Sequence, residues 1–372
     1  MTLHLDPSDL HGLFRQIVDC PSVSQEEQDL ADAVEALVRE AAHLEVTRIG
    51  NCVVARTGLG RSERVVIAGH LDTVPIVDNL PSVVETRPDG DYLVGRGTCD
   101  MKGGVAVALY LATRLAEPVR DVTWVFYECE EIAAEHNGLA RIARERPELL
   151  DADLAILMEP TDGRVEGGCQ GTMRFTLKVA GQAAHSARSW AGHNAIHDLA
   201  PILEKLTRWQ RRDPLVEVEG LTFHEGLNAT MLSGGVAGNV IPPSATIQIN
   251  YRYAPDKSVE QAREAMEALF DRWPMTILDL SAPARPGLDR PLARSFVEAV
   301  GTEPGPKYGW TDVARFSELG VPALNFGPGD ALYAHKADEC CRLGSLDECR
   351  QALETWLTAD SSVTCQDARM DS

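Results

Sequence analysis

The sequence predicts an α/β fold, a three-layer α/β sandwich interrupted by an inserted ferredoxin-like α+β unit. Two observations carry that prediction. Up to residue 172, helical signals alternate with short, nearly continuous apolar runs, the pattern of strands covered on both faces. From Met173 to residue 284 the strands instead alternate apolar and polar residues, as in a sheet with one wet face, in the order β-α-β-β-α-β. A chain of 372 residues can hold both units and a substantial core.

In the first unit "SQEE", Ser24 to Glu27, matches a capping box, and Leu30, Val34, Leu37, Val38 and Ala41 follow at helical spacing. Strands are expected at "CVVAR", "RVVIAGH", "DVTWVFYE" and "DLAILME", with helices near 102–116 and 136–147. The second unit opens on "MRFTLKVAG", where Met173, Phe175, Leu177 and Val179 alternate. A helix around 192–212, strands at "LNATMLSGG" and "ATIQINYRY", a helix with a Ser258–Gln261 capping pair and the strand "MTILDL" complete it. Mixed α/β signals return afterwards, including "VPALNFGPG" as strand and loop. The expected organisation is therefore a split domain of residues 1–172 and 285–358, an insert of 173–284, and a polar, frayed tail of 359–372.

Composition narrows the function classes. Apolar content of 44% with 24% charged residues is that of a soluble globular protein. The net charge of −21 disfavours nucleic acid and anionic membrane as partners. No apolar run approaches a membrane span, and "MTLHLDPSDLHGLF" lacks a basic leader and apolar stretch, so a cytoplasmic location is expected. Nine cysteines, scattered singly apart from Cys340–Cys341 and without a CxxC pair, point to reduced thiols.

Candidate chemistry collects where strands end. His70 ends "RVVIAGH" and Asp72 follows it. Asp100 lies in the Gly-rich "GRGTCDMKGG", Glu130 and Glu131 follow "WVFYEC", Glu159 follows "LAILM", and His335 lies in "GPGDALYAHKADE". Taken singly, each has a plain alternative: a polar turn at His70, a solvated helix start at "CEE", a strand stop at Glu159, a hydrogen-bonded loop histidine at His335. "GRGTCDMKGG" lacks the Gly-Lys-Ser/Thr ending of a phosphate loop. Together the residues lie at strand ends that converge on one sheet edge. Two histidines with several carboxylates make an N/O donor set suited to zinc, with cobalt or manganese as alternatives.

In this order and spacing, "GHLDTVP", "GRGTCDMKGG", "CEE", "MEPT" and "HKADE" resemble the di-zinc amidohydrolases related to aminoacylase, acetylornithine deacetylase and glutamate carboxypeptidase. "EGGCQGT", "AHSARSWAGHNAIH", "GGVAGNVIPPSATIQINYRYAPDKS" and "KYGWTDVARF" look like one branch of that family, the succinyl-diaminopimelate desuccinylases. The resemblance implies a zinc-peptidase-like catalytic sandwich with a lid and dimerisation insert. It also implies two zinc ions per subunit, His70 and Glu159 holding one, Glu131 and His335 the other, with Asp100 bridging. Asp72 becomes the partner that orients His70. Glu130 becomes the general base, facing the attacking water while Glu131 faces metal in an extended segment.

The same resemblance implies a homodimer, in which His185 of the partner subunit steadies the oxyanion. Asn239 and Arg252 become substrate contacts of the lid, and Thr311 with Asp312 a segment near the substrate. Arg252 is set on the strand face opposite Ile247, Ile249 and Tyr251, where a guanidinium can reach an anion. The expected reaction is hydrolysis of N-succinyl-LL-2,6-diaminopimelate to succinate and the diamino acid. Alternatives are another N-acyl amino acid deacylase or a dipeptidase, and a non-catalytic metal binder, against which Glu130 argues. Cys99 and Cys129 stand where many relatives carry other residues, and are expected to point away from metal. Some desuccinylases have arginines where this chain has "CQGT", which removes one contact to a succinyl carboxylate.

Overall fold

The computed structural model describes residues 3–359; residues 360–372, most of the expected tail, lie outside them. The chain divides into two compact units. One comprises the described residues up to Gly167, Gly287–Gly305 and those from Arg315 onward; the other comprises Gly168–Pro286 and Pro306–Ala314.

The first unit begins with α1 (Leu10–Asp19), whose first turn is capped by Asp9, and α2 (Gln28–Glu40). The strands β1 (Glu45–Ile49) and β2 (Cys52–Arg56) form a hairpin, and β3 (Arg64–His70) follows. A second hairpin, β4 (Val83–Arg87) and β5 (Gly90–Val94), was not anticipated, because β4 is exposed along its length and carries no buried period. Next come α3 (Gly103–Ala112), β6 (Asp121–Tyr127), α4 (Gly138–Glu145), β7 (Leu154–Leu157) and β8 (Glu166–Gly167).

The second unit contains β9 (Gly171–Ala180), α5 (Ala200–Gln210), the hairpin β10 (Leu215–Val218) and β11 (Leu221–His224), β12 (Gly226–Gly234), β13 (Ser244–Tyr253), α6 (Val259–Leu269) and β14 (Met275–Ser281). The chain continues through α7 (Pro291–Val300), β15 (Gly305–Pro306), α8 (Val313–Glu318), β16 (Ala323–Asn325), β17 (Cys340–Arg342) and α9 (Leu343–Thr358).

The central sheet of the first unit has eight strands in the order β1-β2-β6-β3-β7-β16-β8-β15. Its middle strands β6, β3, β7 and β16 run parallel, and the β1–β2 end is antiparallel. Every residue of β6 and β7 is buried, which requires cover on both faces. The helix α3, almost wholly buried, lies against β3 and is covered in turn by α1 and α9. Gly104 permits that approach, since a Cβ there would stand 2.1 Å from the Met158 carbonyl oxygen. The close contact draws the loop before α3 toward the end of β7, and both carry candidate site residues.

The second unit has a four-stranded sheet in the order β12-β13-β9-β14, each neighbour antiparallel, packed with α5 and α6 over one core. That is the ferredoxin-like arrangement. Two local expectations need correction. The helix anticipated from residue 192 begins only with a single 3-10 turn at His197–Leu199 and runs as α5 from Ala200, because His193 exchanges backbone hydrogen bonds with Gln182. The Ser24–Glu27 capping box does not form: Ser24 Oγ donates to Asp72 Oδ2 at 2.7 Å, and α2 has no side-chain cap.

The second unit also takes in the segment around Thr311, which the sequence reading grouped with the split domain. Within it the Cys169 thiol donates to the Thr311 carbonyl, and Trp310 Nε1 donates to Ala282 O. Cys169 and Ala284 pair through their backbones, closing the unit near Gly168 and Pro286.

Candidate metal centre

His70 ends β3, flanked by the parallel strands β6 and β7. Its ring is buried and faces two partners. Nδ1 lies 2.9 Å from the Asp72 backbone oxygen and 3.5 Å from Asp72 Oδ1, while Nε2 lies 3.4 Å from Asp100 Oδ1. The other Asp100 oxygen lies 3.2 Å from His335 Nε2, and that nitrogen lies 3.0 Å from Glu131 Oε1. Asp100 thus stands between the two imidazoles, one oxygen toward each. Donor atoms of His70, Asp100 and Glu131 all fall within 4.8 Å of one another.

Glu159 is placed by strand register. Ala68 pairs with Leu157 across the parallel β3–β7 ladder, so His70 and Glu159, two residues further along each strand, leave the sheet at the same level. Glu159 is buried there. His335 sits in a loop at φ 65°, with its ring half-exposed.

Asp72 is fully buried and has a wider role than the sequence suggested. Its Oδ1 accepts from the Glu130 N–H at 2.9 Å and its Oδ2 from the Glu131 N–H at 3.1 Å, beside the Ser24 hydroxyl. Two successive amides held by one carboxylate bend the chain. The expected extended segment at Glu130 and Glu131 is therefore absent: β6 stops at Tyr127, and Cys129 takes φ 58°. The two glutamates diverge through this bend, not through strand alternation.

The electrostatics follow from the crowd of carboxylates. Burial opposes protonation of His70, but its hydrogen bond to Asp100 and the charges of Asp72 and Glu130 outweigh this and raise its pKa well above the ordinary value. Hydrogen bonds donated by His335 to the Asp100 and Glu131 carboxylates push its pKa up to about 10. Burial acts to raise the Asp100 carboxyl, yet the two histidines hold it well below the usual carboxylate range. The site has more anionic oxygens than its imidazoles can balance and so favours added positive charge. The spacing fits a divalent ion: donors around a tetrahedral ion with bonds of roughly 2.0–2.1 Å lie roughly 3.3 Å apart, and the nitrogen–oxygen separations here are 3.0 to 3.4 Å.

A second cluster, Glu27, Glu128 and Cys129, also has closely spaced donors. Most of its donors already have partners, although Glu27 Oε2 is buried without one. Glu27 Oε1 accepts from the Gln25 and Cys129 amides and the Cys129 thiol, and Glu128 is paired with Arg141. Burial and the Glu27 charge push the Cys129 thiol up to about 12, so it stays protonated. Cys99 is buried with its thiol 3.6 Å from Glu339. Glu339, the last residue of "HKADE", and Arg96 are two site-supporting residues that sequence reasoning missed. The glutamate accepts from the Cys99 and Asp100 amides and pairs with the arginine. An acid closing the histidine motif was the available signal.

The remaining candidates lie in the second unit. His185 and Asn239 come together there: His185 bridges Val240, and the Ser186 amide donates to the Asn239 carbonyl at 2.9 Å. Both are exposed, and His185 Nδ1 accepts from the Ala187 amide. Arg252 alternates with the buried Tyr251 and Tyr253 on β13 and pairs across the sheet with Thr172 and Gly226. Burial lowers its pKa, which marks a guanidinium set partly into the protein. Thr311 and Asp312 are buried.

The fold and donor set define a class, that of metal-dependent hydrolases. Comparison with known proteins makes it particular. A family model described as Peptidase family M20/M25/M40 matches residues 66–359. A Mycobacterium tuberculosis protein provisionally named succinyl-diaminopimelate desuccinylase DapE is 50% identical over 356 residues, covering 94% of this chain and 99% of the relative. The succinyl-diaminopimelate desuccinylase of Corynebacterium glutamicum is 44% identical over 357 residues, 93% of this chain and 95% of that one. The M20 family metallo-carboxypeptidase Sso-CP2 of Sulfolobus solfataricus superimposes with a TM-score of 0.74 at 16% identity, covering 94% of this chain and 98% of its own. The chain belongs to Peptidase family M20/M25/M40.

Proposed function

We propose that this protein hydrolyses the amide of N-succinyl-LL-2,6-diaminopimelate to succinate and LL-2,6-diaminopimelate, a step toward diaminopimelate and lysine. The observation that carries this reading is 50% identity across 94% of the chain with a relative of that name, together with a paired histidine–carboxylate site.

In this reading His70, Asp100, Glu131, Glu159 and His335 would hold two divalent ions, zinc by the chemistry of the donors, with cobalt or manganese suiting the same set. When bound, the metal supplies Lewis acidity that makes water a nucleophile at neutral pH. Glu130 takes the proton of the attacking water as oxygen adds to the amide carbon, then passes it to the nitrogen as the C–N bond breaks. Asp72 fixes the base by holding its amide, and orients His70 through Nδ1. His185 of the partner subunit steadies the oxyanion, while Asn239, Arg252 and Thr311 contact the substrate, the guanidinium pairing with a carboxylate.

The first unit serves as the catalytic domain and the second as lid and dimerisation domain of a homodimer. The dimer is supported by the edge strand β12, on which Met231 and Leu232 are 66% and 53% exposed. A cytoplasmic location fits the free, buried thiols of Cys20, Cys52, Cys99, Cys129, Cys169, Cys340, Cys341 and Cys349. Among the described residues no helix is long and apolar enough to cross a membrane.

The test is a substrate panel on the metal-loaded protein: N-succinyl-LL-2,6-diaminopimelate, N-acetylornithine and simple dipeptides. Succinate release with little turnover of the others is expected. Turnover of another N-acyl amino acid or a dipeptide without succinate release overturns the assignment and selects the corresponding alternative.

A further inference from the structure

Three of the candidate ligands adjoin or lie on three separate loops: His70 ends β3 at the start of the loop 71–75, Asp100 lies in the turn Thr98–Lys102, and His335 in the stretch before β17. A single buried ion pair touches all three. Glu339, 1% exposed, directs Oε2 to Arg96 Nη1 at 2.8 Å, and Arg96 is 2% exposed. The other carboxylate oxygen, Oε1, accepts from the Cys99 and Asp100 amides, each at 3.2 Å. The guanidinium donates through Nε to the Pro75 carbonyl at 3.0 Å and through Nη1 to the Lys336 carbonyl at 3.2 Å. The backbone joins in as well, since the Gly95 amide donates to the Glu339 carbonyl at 2.9 Å and the Arg96 amide to the Asn79 carbonyl at 3.2 Å.

We infer that the Arg96–Glu339 pair positions the metal ligands by clamping the loops of His70, Asp100 and His335 to one another. The inference rests on the metal-hydrolase reading above. Three features carry it. The carboxylate grips the amide of Asp100 itself, the residue that stands between the two imidazoles. The arginine reaches Lys336, adjacent to His335, so one pair controls both ends of the Asp100–His335 approach. Finally, an isolated buried ion pair is a poor way to add stability, because desolvation cancels much of its attraction and well-packed apolar residues replace it at little cost. A pair that holds three loops through main-chain groups is better explained by fixing positions than by adding stability.

Glu339 mirrors Asp72. Each is a buried carboxylate that binds two successive amides ending at a ligand: Cys99 and Asp100 in one case, Glu130 and Glu131 in the other. The two loops that supply carboxylates to the centre are thus shaped by the same device, and neither carboxylate faces the donors as a ligand in the proposed set. Arg96 and Glu339 are positioning residues, acting through Asp100 and His335.

The test compares wild type with Glu339→Gln and with the charge-free double variant Arg96→Met/Glu339→Leu. Each variant is first checked for wild-type melting temperature in the metal-free form. Zinc affinity is measured by chelator competition, and the cobalt-substituted proteins are compared by their visible d–d spectra. A positioning role predicts zinc affinity lower by about 10- to 100-fold and a changed cobalt spectrum in a double variant that melts like wild type. Wild-type affinity and spectrum in both variants overturn the inference. So does a double variant that cannot fold accompanied by a Glu339→Gln protein with unchanged metal properties, because the pair then serves stability alone. Wild-type protein that binds no divalent metal is a distinct outcome, which removes the metal-hydrolase reading and this inference with it.

Discussion

Glu130 and Glu131 are adjacent in sequence and chemically equivalent in isolation, yet the proposed chemistry gives one to the solvent side as base and the other to metal. The fold separates them through Asp72, whose two oxygens each take one of their amides. Glu131 then reaches His335 Nε2 at 3.0 Å, whereas Glu130 lies close enough to His70 to raise its pKa. Glu130→Gln keeps size and hydrogen bonding but cannot take a proton. Turnover should fall by about 10²- to 10⁴-fold, while the metal-to-protein ratio by elemental analysis stays at the wild-type value. Retained turnover would assign the base elsewhere. The residue types and their order were legible because strand ends of a central sheet converge. The bend was not, since it depends on Asp72, more than fifty positions away, and no local pattern encodes such a partner.

Two local patterns of the same spacing had opposite fates, which shows how far elements can be read from sequence. Ser258 and Gln261 form a complete capping box at the start of α6, each side chain accepting from the other's backbone amide. Ser24 and Glu27 carry the same spacing, but the site recruits both: Ser24 donates to Asp72, and Glu27 takes the Cys129 amide. Tertiary hydrogen bonds to buried groups outweigh a surface cap. Ser258→Ala should therefore cost about 1 kcal/mol of stability, read as a lower denaturant midpoint, with activity unchanged. Ser24→Ala should instead depress turnover, because it strips a donor from the carboxylate that holds Glu130. If Ser24→Ala affects only the midpoint and Ser258→Ala only the turnover, the distinction fails. The missed hairpin of β4 and β5 has a related cause: β4 is exposed on both faces and β5 buries only Leu93, which leaves no buried periodicity to read.

At the level of the whole molecule, the fold class and the insert were legible, because continuous and alternating apolar runs follow directly from which strand faces are covered. Strand order was not. The neighbours of β3 are β6 and β7, and that choice belongs to crossover topology, which the strands' composition does not record. The proposed centre is assembled from segments spread between His70 and His335, which predicts that metal occupancy and folding are coupled. Without metal, protons on the imidazoles offset part of the carboxylate charge around Asp100, with the His335 pKa pushed up to about 10. A metal bound to the native state and not to the unfolded chain stabilises by RT ln(1 + [M]/Kd), about 4 kcal/mol at a thousandfold excess over Kd. Treating the protein with a chelator should abolish turnover and lower the melting temperature, and titrating zinc back should restore both along one saturation curve. Because ligands must lose protons to bind metal, the concentration needed for half-restoration should fall as pH rises from 6 to 8. Activity that survives exhaustive chelation at an unchanged melting temperature would contradict a metal role in both catalysis and cohesion.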